Sequence, residues 1–451
     1  MKITFLGATG TVTGSKYLVT TEKSKVLVDC GLFQGLKQLR LKNWKPLPVD
    51  PATIDVVVLT HAHIDHTGYL PLLVKNGFSG KVYCSEATQA LCEILLPDSA
   101  YLQEEEARYA NMRGFSKHNP ALPLYTQEDA ERALELLVPV PFEQEIEIAE
   151  GVTAKLSPAG HILGASLVMM RSEGKSILFS GDIGRPNDPL MLAPAIIRQA
   201  DYLVLESTYG DRLHEKEDPE IKLAEIINRT YQRGGVLVVP VFAVGRAQEL
   251  LYYIQSLKDQ RLIPDVPVYL NSPMAVDATA IFMHHHDIHK LSKEQCKMVA
   301  NSARMVNSVE ESRSLNEIGH PVIILSASGM ASGGRVVHHI KAFGPDPRNT
   351  ILFAGYQAVG TRGAAMLDGA ESVKIHGEYV PINAEVDFIS NLSAHADYSE
   401  ILEWLHHFEK PPVTTFIVHG EPVAADAMRH HIEEKLHWEV VVPDYLETIE
   451  L

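Results

Sequence analysis

The feature that most constrains this chain is a recurring short run of β-branched apolar residues that closes on a polar or glycine cluster. Such runs occupy residues 26–28 before Asp29, 56–60 before His61, 177–179 before Asp182 and 203–205 before Glu206. They return at 236–239, 322–325, 351–353 and 416–418, the last before His419. Each reads as a buried strand. Helical stretches fill many of the intervals, at 88–96, 218–233, 247–258, 399–408 and 423–436. Strands alternating with helices predict an α/β protein whose functional groups gather where strands end.

Composition narrows the class further. The 451 residues are 45% hydrophobic and 22% charged, which excludes global disorder and leaves chain enough for two or three domains. Forty Lys and Arg against 57 Asp and Glu give a net charge of −17, which opposes indiscriminate phosphate binding but permits a local basic groove. No apolar run approaches the roughly 20 residues of a bilayer helix, and the first residues read as a strand, not a secretory signal, so a cytosolic protein is expected. Four cysteines at irregular spacing, without a CxxC pair, are expected as free and mostly buried thiols. The glycine-rich residues 7–14 lack G-x-G-x-x-G spacing and lead into a strand pattern, so they predict a turn and not a dinucleotide site.

The chemistry concentrates in Thr60-His61-Ala62-His63-Ile64-Asp65-His66-Thr67-Gly68, directly after a strand. Three imidazoles and a carboxylate this close suit a borderline divalent metal, zinc above all. Two metals need more donors than one loop offers. His161, Asp182 and His419, each glycine-flanked near a strand end, complete a binuclear inventory.

These residues resemble the signature of the metallo-β-lactamase superfamily, HxHxDH standing here as His61, His63, Asp65 and His66. Glu206, His395 in Ser393-Ala394-His395-Ala396-Asp397, and His419 follow in the order of the A, B and C motifs of its β-CASP branch. That branch holds nucleases such as ribonuclease J and the endonuclease subunit of the cleavage and polyadenylation machinery. The resemblance implies a metallo-β-lactamase αββα sandwich built from residues 1–208 and 384–451, with an α/β β-CASP lid at 209–383. It implies one zinc on His61, His63 and His161, a second on Asp65, His66 and His419, and Asp182 bridging them. Manganese is tolerated by the same donors. Asp29 would orient the histidine loop through its carboxylate. Asp182 and Asp65 count among the catalytic groups with His395, the candidate general acid, and Glu206, which would orient its ring.

Three lid segments have the small residues, hydroxyls and Arg fork that hold phosphate. They carry Ser326, Ser328 and Gly329, then Gln357, Thr361 and Arg362, and the turn 242–246. His at position 419, where DNA-directed members tend to carry Val, implies RNA as substrate. The expected activity is zinc-dependent hydrolysis of single-stranded RNA, endonucleolytic with an exonuclease activity open, in RNA processing or decay. The alternatives are a DNA-directed β-CASP nuclease and a non-catalytic RNA-binding scaffold. Neither the extra C-terminal domain of ribonuclease J nor a preceding RNA-binding domain is expected; a homodimer stays open. His63 stands where a di-iron relative would carry Glu, which disfavours iron. The cluster His284, His285, His286 and His289 predicts a solvated helix face, and His338, His339, His376, His406 and His407 surface or packed histidines.

Overall fold

Two seven-stranded sheets carry the larger unit of the chain, residues 1–213 with 395–451. The computed structural model describes residues 1–114 and 116–451. The first sheet runs in the order Thr448–Glu450, Lys2–Phe5, Tyr17–Thr20, Lys25–Val28, Val56–Val58, Lys81–Ser85, Leu137–Val140. The second runs Val440–Val441, Thr414–Val418, Tyr202–Glu206, Lys175–Phe179, Ser166–Ser172, Val152–Pro158, Glu145–Ala149. Both mix parallel and antiparallel pairs.

One core lies between these sheets. Its side chains include Phe5, Tyr17, Val28, Val58, Phe179, Val204, Phe416 and Val418. Phe5 meets Phe416 at 5.4 Å and Tyr17 stacks on Phe179 at 6.0 Å, each pair joining one sheet to the other. Helix Glu86–Arg113 packs on the first sheet and helix Pro422–Leu436 on the second. The result is the αββα sandwich that the resemblance implies, both sheets drawing strands from both ends of the sequence.

Residues 214–394 form the other unit. Its sheet of six strands, Arg304–Met305, Val268–Leu270, Ile323–Ser326, Leu237–Pro240, Thr350–Ala354 and Glu385–Ile389, is parallel throughout. The central strands are buried apolar runs, as a sheet covered on both faces requires. Five of its helices start on side-chain caps: Asp218, Ser272, Ser292, Ser308 and Thr361 each accept a backbone N–H of the first turn.

Local expectations differ from the structure in two places. The helix placed at 88–96 runs from Glu86 to Arg113, continuing past Pro97 and stopping at Gly114 in the left-handed region, φ 64°. Small Ala100, Ala107 and Ala110 keep its inner face buried beyond the proline. His289 does not lie on a solvated helix face: it is buried, stacked on Phe282 at 3.9 Å, and hydrogen-bonded to the Phe282 carbonyl. All four cysteines are free and buried. Among the described residues no helix is long and apolar enough to cross a membrane.

Candidate metal centre and active site

The histidine loop leaves the strand Val56–Val58 and turns into the short helix Ile64–Thr67. Residues 29–31 lie directly against it. Cys30 donates its N–H to the His66 carbonyl at 2.7 Å, and a Cβ at Gly31 would fall on the Asp65 carbonyl oxygen. Only glycine lets the two backbones approach this closely. Asp29 and His419 both sit in the left-handed region, φ 58° and 50°. Asp readily adopts that conformation, and the non-glycine His419 holds it at a strand end, where functional sites concentrate such backbone strain.

His61, His66, His161, Asp182 and His419 are buried, and His63 and Asp65 are half-buried. Their donor atoms converge in two sets. In one, His61 Nε2 lies 3.0 Å from His63 Nδ1, His161 Nε2 lies 3.3 Å from His63 Nδ1, and Asp182 Oδ2 lies 3.4 and 3.5 Å from His61 and His161. In the other, His66 Nε2 lies 3.1 Å from His419 Nε2 and 3.3 Å from Asp182 Oδ1, while Asp65 Oδ2 lies 3.5 Å from His419 Nε2. Donors bonded tetrahedrally at zinc distances are separated by about 3.4 Å, so both sets have the spacing of a metal's ligand shell. Asp182 gives one oxygen to each. The Oδ1 of Asp182, which belongs to the second set, is buried without a hydrogen-bond partner among the described residues, a costly arrangement that metal coordination there would offset.

Electrostatics favours the same use. Burial, then neighbouring His66, pushes His61 down to about 3, and burial takes His63 down to about 4 and His161 well below the ordinary histidine value. These imidazoles are neutral, as ligands must be. Burial alone would raise Asp182 and Asp65, but the surrounding imidazoles, with a hydrogen bond from His419 to Asp65, hold both carboxyls below their usual range. His66 differs: burial lowers it, but the carboxylates of Asp182 and Asp29 outweigh burial and raise it well above 6.5.

A surrounding layer aims the ligands. Asp29 Oδ2 accepts the His66 Nδ1–H at 2.7 Å, leaving Nε2 for the centre. The same carboxylate accepts the Thr60 N–H at 2.7 Å and its hydroxyl at 2.8 Å. Thr60 Oγ1 is 3.1 Å from His61 Nδ1, and Thr208 Oγ1 is 3.2 Å from His419 Nδ1. Thr60 and Thr208 were missed by sequence reasoning, although each adjoins or closely follows a motif residue.

His395 lies beside the centre. Its Nε2 is 4.0 Å from Asp182 Oδ2, and its Nδ1 is 3.1 and 3.2 Å from the two oxygens of Glu206. Burial lowers its pKa, but Glu206 first and Asp182 next outweigh burial and raise it to about 8. Like His66, it favours a proton. Glu206, fully buried, also accepts the Ile183 N–H at 2.6 Å and the Thr208 N–H at 3.3 Å.

The candidate phosphate-contact residues of 214–394 behave differently. Ser326 Oγ donates to the Asn271 carbonyl, Thr361 Oγ1 to the Ala358 carbonyl, and Gln357 Nε2 to the carbonyls of Gly329 and Gly355. Ser328 Oγ accepts the N–H groups of Ser332 and Gly333. Arg362 donates to the carbonyls of Lys374, Ala331 and Ser332 instead of presenting a free fork. These side chains hold their own loops in shape and tie neighbouring loops together.

Residues 9–224 match the family described as metallo-beta-lactamase superfamily, 247–366 the Beta-Casp domain, and 379–443 the Zn-dependent metallo-hydrolase RNA specificity domain. The chain is 35% identical over 429 residues, 93% of each chain, to Ribonuclease TTHA0252 of Thermus thermophilus. It is 31% identical over 475 residues to Transcription termination factor FttA of Methanosarcina mazei, covering 100% of this chain and 72% of that one. Against Cleavage and polyadenylation specificity factor 73 of Drosophila melanogaster it is 31% identical over 430 residues, 93% of this chain and 60% of that one. A crystal structure of a protein of unknown function from Enterococcus faecalis V583 shares the fold, with a TM-score of 0.56 at 14% identity over 100% of this chain and 99% of that one. With the sandwich, the inserted α/β unit and the converging His and Asp donors, these matches establish that the chain belongs to the β-CASP branch of the metallo-β-lactamase superfamily and is a metal-dependent hydrolase.

Proposed function

We propose that this chain hydrolyses phosphodiester bonds of single-stranded RNA at a two-zinc centre. His61, His63 and His161 would hold one ion, Asp65, His66 and His419 the other, and Asp182 both. The observation that carries this is Asp182, one buried carboxylate divided between two donor sets at ligand-shell spacing. Bound there, two divalent cations, zinc or manganese, supply Lewis acidity that activates a water and neutralises phosphoryl charge.

The remaining work falls to side chains. Hydrolysis forms a P–O bond to the water oxygen and breaks the P–O bond to a ribose oxygen, which must leave with a proton. His395 Nε2 donates that proton, its ring oriented by Glu206. Asp65, kept ionised, can accept a hydrogen bond from the attacking water and orient it. In residues 214–394, phosphate contact falls to backbone N–H groups of the loops that Ser326, Ser328, Gly329, Gln357, Thr361 and Arg362 keep in shape.

The match of residues 379–443, which include His419, to an RNA specificity domain supports RNA over DNA. Relatives named as a ribonuclease, a termination factor and a cleavage factor support a role in RNA processing or decay; endonucleolytic cutting, with exonucleolytic trimming as a second activity, is part of the proposal. The complete donor set weighs against a non-catalytic scaffold. Zinc-loaded protein should cut a 5′-labelled single-stranded RNA and spare the matched DNA, and Asp182→Ala should cut neither. Cutting of the DNA, or cutting of RNA by Asp182→Ala, sinks the proposal.

A further inference from the structure

We propose that Arg185 and Glu400 form a positioning pair that holds the main chain of His395 at its working distance from Asp182. The inference rests on His395 being the proton donor. Glu206 fixes the ring through Nδ1, but it leaves the location of the loop to other contacts. Gly184 and His395 pair as an isolated antiparallel bridge, and the Ala396 N–H donates to the Ile183 carbonyl at 2.8 Å. Gly184 in turn donates to the Ala159 carbonyl at 2.8 Å, and a Cβ there would fall on the Gly160 carbonyl. One crossing of backbones therefore brings the loops of His161, Asp182 and His395 together.

Arg185, the next residue, locks that crossing from outside. Its Nε and Nη2 each lie 3.2 Å from Glu400 Oε1, and Nε is 3.4 Å from Oε2. Glu400 Oε2 also accepts the Asp397 N–H at 2.9 Å, closing a capping box in which Asp397 Oδ1 accepts the Ser399 and Glu400 N–H groups. The Glu400 carboxylate thus joins the segment after Asp182 to the first helical turn after His395. Isolated exposed ion pairs contribute little, but this one is a multiple contact with side-chain exposures of 21% and 14%, and both its ends lie within a few residues of catalytic groups.

A purely structural pair would slow every reaction of the centre alike. A pair that positions the proton donor should matter only where the leaving group needs a proton. The test compares kcat of the zinc-loaded full chain on single-stranded RNA and on bis(4-nitrophenyl) phosphate, whose aryl oxide leaves without protonation, in Arg185→Met and Glu400→Gln with His395→Ala as reference. A misplaced donor predicts RNA cleavage down by ~10- to 100-fold with aryl ester hydrolysis little changed and two zinc ions retained. Arg185→Lys, which keeps charge without the fork, should fall between. Equal losses on both substrates, or no loss on RNA, would overturn the positioning role. If His395→Ala is selective against RNA and the two pair variants are not, only this inference falls. If His395→Ala is itself unselective, the assignment of the proton donor falls and takes this inference with it.

Discussion

At the residue scale, the site sets three imidazoles kept neutral by burial, those of His61, His63 and His161, around carboxylates kept ionised. His66 is aimed by Asp29 at 2.7 Å, and the same carboxylate holds Thr60 behind His61. Asp29→Asn should therefore weaken metal affinity by ~10- to 100-fold while leaving all seven proposed ligands in place, as read by competition with a chromogenic chelator; unchanged affinity would remove Asp29 from the site. His395 must be protonated to donate, and its pKa lies near 8, so the rate should fall as pH rises through about 8. Glu206 is the largest of the contributions raising that value. In Glu206→Gln the basic limb of the pH–rate profile should move to lower pH, and an unmoved limb would break the link between the two residues. The His and Asp residues that converge here were legible in the sequence because His and Asp at strand ends form a dense pattern. Thr60 and Thr208 were not, because a hydroxyl that bonds the far side of an imidazole looks like any strand-end threonine until the fold brings the ring to it.

At the scale of elements, strands were legible and boundaries less so. Buried parallel strands write themselves as short β-branched runs, which is why those leading to Asp29, His61 and Glu206 were foreseen. Helix Glu86–Arg113 was cut short because Pro97 commonly ends a helix. What carries it onward is tertiary: alanines on its inner face pack where no local signal reports. Lys16 makes the same point, a lysine 2% exposed whose ammonium lies over the rings of Phe33 and Tyr69 and donates to the Gly14 carbonyl at 3.2 Å. The join between the two sheets is testable at Phe416, 1% exposed against Phe5. Phe416→Ala should cost ~3–5 kcal/mol in denaturant unfolding of the larger unit, and a loss below about 1 kcal/mol would show that the ring does not hold the sheets together. At Gly31 the expected outcome of Gly31→Ala is loss of metal, because the histidine loop must move off the new methyl group; full metal content would contradict the close packing there.

On the scale of the whole molecule, the chain folds as two units, 1–213 with 395–451 and 214–394, and every proposed metal ligand belongs to the first. That unit is assembled from both ends of the sequence, so His419 reaches the centre only after the other unit has been spelled out. Two cations would turn this part of an otherwise acidic protein, net charge −17, into an attractive place for phosphate. RNA binding should then weaken with salt, and stripping the metals with a chelator should lower the unfolding temperature of the larger unit, since a ligand at 100 times its Kd stabilises by about 2.7 kcal/mol. The most direct measurement is the metal content of the purified chain by mass spectrometry, alongside Asp182→Ala. A two-metal centre predicts two zinc or manganese ions per chain and a loss of metal when the shared carboxylate is removed. A single ion per fully loaded chain, or an Asp182→Ala protein that keeps both, would contradict it.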